Sequence, residues 1–77
     1  MAKAIVLMNA ELGHENKLVD ELKKTQYVTE VYAVYGVYDV IVKVEGDSME
    51  KLRDTISTKL RRIEGVRSTL TMIIVEK

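Results

Sequence analysis

Few residues in this sequence can do chemistry. Among its 77 residues there is one histidine, His14, and no cysteine. Disulfides, thiolate zinc sites and iron–sulfur clusters are thereby excluded, and one imidazole is too few for a cluster of histidine metal ligands. A catalytic His14 would need a nucleophile and an orienting acid beside it. At the start of a predicted helix it reads instead as a solvent-exposed side chain whose cationic form opposes the helix dipole. The tyrosines Tyr27, Tyr32, Tyr35 and Tyr38 are clustered, as on sheets that stack nucleic-acid bases. No RNP pattern of glycine and aromatics accompanies them. The 12 basic and 12 acidic side chains also cancel to a net charge of zero, so the basic field that nucleic acids and anionic membranes require is absent. The tyrosines therefore read as residues of a sheet edge or a subunit edge. Arg61-Arg62 reads as favourable charge at a helix end, not as a phosphate site. Asp39 is left, the one acidic residue near a predicted hairpin. A turn aspartate commonly bonds its own backbone.

The elements around these residues are legible. Lys3–Ala10 is almost wholly apolar, so alternation cannot assign its faces, and it reads as a central strand. Gly13 and His14 break the pattern. Glu15–Lys24 then carries Leu18, Val19 and Leu22 at helical spacing, with Lys and Glu opposite. Val28–Tyr35 and Tyr38–Glu45 are rich in Val and Tyr and read as strands joined by a two-residue turn at Gly36-Val37. Asp47 is the predicted cap of a second helix, with Glu50 closing the box three residues later. Met49, Leu52, Ile56, Leu60 and Ile63 form one apolar stripe along it. Gly65 ends the helix, and Val66–Glu76 is the last strand.

The order is strand, helix, strand, strand, helix, strand. Lys17-Leu18-x-Asp20 repeats as Lys51-Leu52-x-Asp54 at an offset of 34, and Val28 matches Val66 at an offset of 38. Two βαβ-type halves joined by a hairpin give an α+β, ferredoxin-like βαββαβ fold. Its four-stranded antiparallel sheet carries both helices on one face, with strands one and three central. The length suits a single domain over residues 1–77. A core this small is marginal alone. Nothing resembles a leader or a membrane span, so the expectation is a cytoplasmic protein.

The helix-free face is the candidate functional surface. It takes Ile5 and Leu7 or else Ala4 and Val6, together with Ile41 and one register of Leu70–Ile74. A face this apolar is expected to be covered by a second copy.

The motifs resemble those of a known family. Gly36-Val37-Tyr38-Asp39, opening a Val-rich strand, resembles the G-x-[Y/F]-D signature of the Lrp/AsnC effector domain, the RAM module. Ile63-Glu64-Gly65-Val66 resembles the stretch before that module's last strand, and Thr69–Val75 resembles the strand itself. The match runs from Lys3 to Lys77. The resemblance implies a stand-alone, amino-acid-binding effector module without the helix-turn-helix domain, and hence no direct DNA binding. It implies a homo-oligomer, packed sheet against sheet in the manner of dimeric α+β barrels and extending to an octamer or another ring. Full-length Lrp/AsnC-type regulators are the implied partners, and a free amino acid bound between subunits the implied effector.

On that resemblance the binding residues are assigned. An amino acid offers an ammonium, which needs an anion, and a carboxylate, which needs N–H donors. Asp39 suits the ammonium and the backbone at Gly36 the carboxylate. Tyr35, Tyr38, Thr69 and Thr71 would line the pocket, with Met72 and Ile74 beside an apolar side chain. By motif, Ala33, Asp39, Met72, Ile73 and Ile74 occupy the effector-sensing positions. No catalytic residue, metal or cofactor is expected. A purely structural oligomerisation module is the alternative. An enzyme of the dimeric α+β barrel type is disfavoured, because the positions between sheet and helices are Val, Leu, Ile and Met.

Overall fold

Strict alternation resolves the apolar run of the first strand. The computed structural model describes residues 1–75. In β1 (Ala2–Ala10) the residues Ala4, Val6, Met8 and Ala10 are buried, while Lys3, Ile5, Leu7 and Asn9 are half-exposed. α1 (Glu15–Lys23), β2 (Val28–Ala33), β3 (Val40–Gly46), α2 (Met49–Thr58), a 3-10 turn at Leu60–Arg62 and β4 (Val66–Ile73) follow. The strands make one antiparallel sheet in the order β2-β3-β1-β4. Strands one and three are central, as right-handed crossovers require.

Both helices lie on one face. Leu18 and Leu22 of α1, Leu52 and Ile56 of α2, and Leu60 pack with Ala4, Val6, Met8, Val40, Val42 and Val44 into one core cluster. Each fully buried leucine contributes about 1.5–3 kcal/mol. Gly46 is buried, and a β-carbon there would crowd Leu52 Cδ2 at 3.0 Å.

The structure corrects several expectations. Ser48, not Asp47, caps α2: Ser48 is extended (φ −143°, ψ 153°) and its hydroxyl accepts from the Lys51 amide at 3.2 Å. The second helix does not run unbroken to Ile63. The Thr58 hydroxyl donates to the Asp54 carbonyl at 2.7 Å, the kind of back-bond that weakens a helix. The chain tightens into the 3-10 turn, and Leu60 stays fully buried. The last strand ends at Ile73, and Glu76 and Lys77 lie outside the described residues.

The two-residue hairpin is replaced by a six-residue connection, 34–39. Pairing of β2 with β3 ends at Ala33 opposite Val40, closed by a bond from the Val34 amide to the Asp39 carbonyl (2.9 Å). Asp39 is drawn toward β1 instead: its amide donates to the Met8 carbonyl at 2.9 Å. Gly36 has φ 156° with open space around it, so its dihedral and not crowding favours glycine.

Candidate functional site

The βαβ order places the end of β1, the start of α1 and the 34–39 connection at the same end of the sheet. A groove of about 410 Å³ lies there, lined by Glu15, Asn16, Ala33, Val34, Tyr35 and Asp39. Asp39 is half-buried, and its Oδ2 accepts from the Ala10 amide at 2.9 Å. It therefore bonds the backbone of β1 and not its own turn. Its other carboxylate oxygen takes no donor among the described residues. Glu15 Oε1 accepts only a long bond, 3.4 Å, from the Gly13 amide. The first-turn amides of α1 precede its first intrahelical bond, from the Leu18 amide to the His14 carbonyl, and are donors in search of an acceptor. Carboxylates and amide donors thus border one concavity.

Of the sequence-predicted residues, Tyr35, Asp39 and Ala33 meet at this groove. Gly36 and the half-buried Tyr38 belong to the same connection without lining it. Thr69, Thr71, Met72 and Ile74 do not line it: they follow β4, which β1 separates from β3. Thr69 faces Met8, Thr71 faces Val6 and Met72 faces Ile5, so the series runs down the far edge strand, and the Ile74 amide donates to the Lys3 carbonyl at 3.0 Å. Tyr35 is fully exposed and does not fill the groove. Glu15 and Asn16 were missed by sequence reasoning, although the chain order alone places the first turn of α1 beside the β2–β3 connection. His14 is half-buried rather than exposed, with its Nδ1 buried and without a hydrogen-bond partner among the described residues.

A larger depression of about 520 Å³ runs along the outer surface of α2 between Ser48 and Ser57. Only polar side chains line it, so it lacks the apolar walls of a ligand site.

The helix-free face is the second candidate surface. Register puts Tyr32, Ile41, Leu7 and Leu70 in one row across the sheet, and Glu30, Lys43, Ile5 and Met72 in the next. Tyr32, Leu70 and Met72 are 51%, 45% and 44% exposed. The β2 rim of the face is polar. The Tyr32 hydroxyl donates to Glu30 Oε1, and Lys43 Nζ lies 3.4 Å from Glu30 Oε2. The Tyr32 hydroxyl, and then Lys43, hold the Glu30 carboxyl below its usual range, and Glu30 pushes the Tyr32 hydroxyl up.

The family model for the Lrp/AsnC ligand binding domain matches residues 3–77. The chain belongs to the Lrp/AsnC family. The HTH-type transcriptional regulator FL11 of Pyrococcus furiosus is 32% identical over 73 residues, which are 95% of this chain and 48% of the regulator. The chain thus spans about half the length of that curated relative. Among solved structures, FFRP-DM1 superposes with a TM-score of 0.93 at 39% identity, over 97% of this chain and 100% of that one. The hypothetical protein PHS023 of Pyrococcus horikoshii gives 0.92 at 38% identity, over 100% and 93%. The fold is that of the Lrp/AsnC ligand-binding domain, a four-stranded antiparallel sheet with two helices. No described helix is long and apolar enough to cross a membrane.

Proposed function

We propose that residues 1–77 form an amino-acid-binding effector module of the Lrp/AsnC transcription regulators, non-enzymatic and cytoplasmic. The module buries its helix-free face against a second copy. It takes a free amino acid at the subunit seam, near Gly36 and Asp39, and modulates regulators of the FL11 kind by assembling with them. The observation that carries this reading is the groove beside Asp39, where a half-buried carboxylate keeps one oxygen for an ammonium. The α1 first-turn amides supply donors for the ligand carboxylate. In this reading Thr69, Thr71, Met72 and Ile74, which do not line the groove of their own protomer, meet the ligand from a neighbouring one.

Titration calorimetry with the twenty amino acids, alongside sedimentation, tests this. Binding of at least one amino acid by the assembled protein is expected. Heat from none of them, with the assembly intact, removes the sensing role.

A second reading has its own observation. The bond from the Ala10 amide to Asp39 gives the carboxylate a structural task, which a purely structural oligomerisation module would also need. Asp39→Asn separates the two readings, because the amide oxygen still accepts from Ala10 while the charge is gone. A sensor loses amino-acid affinity in this variant and keeps its assembly. A structural module shows no ligand effect to lose.

A further inference from the structure

Asp39 holds more than its own connection. Three hydrogen bonds converge on it: its amide to the Met8 carbonyl, the Val34 amide to its carbonyl, and the Ala10 amide to its carboxylate, each 2.9 Å. Ala10 sits at a discontinuity of the sheet. β1 runs in register with β4 as far as Asn9 opposite Ser68, then the register shifts and Ala10 faces Val66. The next amide, that of Glu11, donates to the Gly65 carbonyl at 2.7 Å. Successive N–H groups of an extended chain point to opposite edges. Ala10 therefore reaches Asp39 on the β3 side while Glu11 reaches Gly65 on the β4 side. Ala10 is buried, so its amide has little water to turn to if the carboxylate lets go.

We infer that Asp39 and the start of β4 are mechanically coupled through the Ala10–Glu11 backbone, with the register break between Asn9 and Ala10 as the element that can take two arrangements. For its input alone the coupling rests on the amino-acid-binding reading given above. An ammonium on the free oxygen of Asp39 shares the carboxylate charge between two donors and weakens its hold on Ala10. The Ala10–Glu11 segment then resets against Gly65 and Val66. Reciprocity requires that any contact fixing β4 change affinity in the groove by the same factor. Ligand occupancy thereby reaches the start of β4 at Gly65 and Val66, the strand that carries Leu70 and Met72 on the open face.

Amide NMR and hydrogen exchange on the full chain test the coupling. In Asp39→Ala the Ala10 amide should exchange at least about tenfold faster, as befits a lost bond to a carboxylate. The Glu11, Gly65 and Val66 signals should shift with it, whereas Asp39→Asn, which keeps an acceptor, leaves Gly65 and Val66 near their wild-type positions. Asp39→Ala changes confined to residues 34–40 and Ala10 overturn the coupling. The reverse experiment keeps the claim testable if Asp39→Ala does not fold: Gly65→Ala should move the Ala10 amide and the Asp39 carboxyl carbon, and unmoved signals overturn the coupling. An amino-acid titration separates the two claims. Binding that shifts Tyr35 and Gly36 but not Gly65 and Val66 overturns the relay and leaves the sensor. Intact coupling in the variants with no amino acid bound removes the sensor and the ligand input, and supports the backbone coupling by itself.

Discussion

The side chain of His14 lies against the α-carbon of Gly65, so close that a β-carbon there would come within 2.8 Å of His14 Cβ. Gly65 also holds φ 98°, a region costly for other residues. Both effects predict that Gly65→Ala destabilises the fold by about 1–3 kcal/mol, read as a lower urea midpoint. Adding His14→Gly, which removes Cβ as well as the ring, should relieve the clash and leave the dihedral cost. A double variant no more stable than Gly65→Ala alone would show that crowding plays no part.

Most of the fold was legible in the sequence because its signals are local and periodic. Leu18 with Leu22, and Leu52 with Ile56, recur at helical spacing, and Val40, Val42 and Val44 alternate. The faces of β1 were not legible, since both registers of Lys3–Ala10 are apolar and only helix placement decides between them. The length of the β2–β3 connection was missed for a different reason. Asp39 is pulled toward Met8 and Ala10, and a contact 29 residues distant leaves no trace in local turn chemistry. Glu15 and Asn16 escaped notice because an amphipathic pattern marks the core face of a helix and is silent about which end borders a groove.

The cap of α2 gives a direct test of one such correction. Ser48→Ala should cost about 1 kcal/mol of stability, because its hydroxyl satisfies the Lys51 amide. Asp47→Ala should cost clearly less, its side chain being outside the cap bond. Chemical denaturation of both variants decides, and a larger loss for Asp47→Ala would contradict the observed cap.

The cluster of Glu30, Tyr32 and Lys43 sets a pH window. Tyr32 first, then Lys43, lowers the Glu30 carboxyl from its ordinary 4.5. Its contribution is therefore complete above that value and lost as pH falls through the lowered one. Glu30 raises the Tyr32 hydroxyl above its ordinary 10.0, so that contribution is complete below pH 10.0 and lost as pH rises through the raised value. The groups are exposed, so NMR titration of the Glu30 carboxyl carbon is a better readout than global stability. Tyr32→Phe should return Glu30 toward its ordinary value further than Lys43→Met does. The opposite order would mean that the ion pair, not the hydroxyl, holds the carboxylate.

Leu7 lies at the centre of the helix-free face, between Ile41 on β3 and Leu70 on β4. Its side chain points away from the core cluster, so a charge there need not disturb the protomer. If a second copy covers this face, Leu7→Glu buries an unpaired carboxylate in an apolar seam and forfeits a buried leucine. Together these should weaken association by about 3 kcal/mol, more than a hundredfold in dissociation constant. Sedimentation should then show the variant as an 8.8 kDa particle at concentrations where the parent protein is assembled, with circular dichroism unchanged. Lys51→Glu, on the outer surface of α2, should leave assembly alone. A Leu7→Glu variant that associates as well as the parent would place the interface on another surface, and a parent protein that sediments at 8.8 kDa would leave the face without a partner copy.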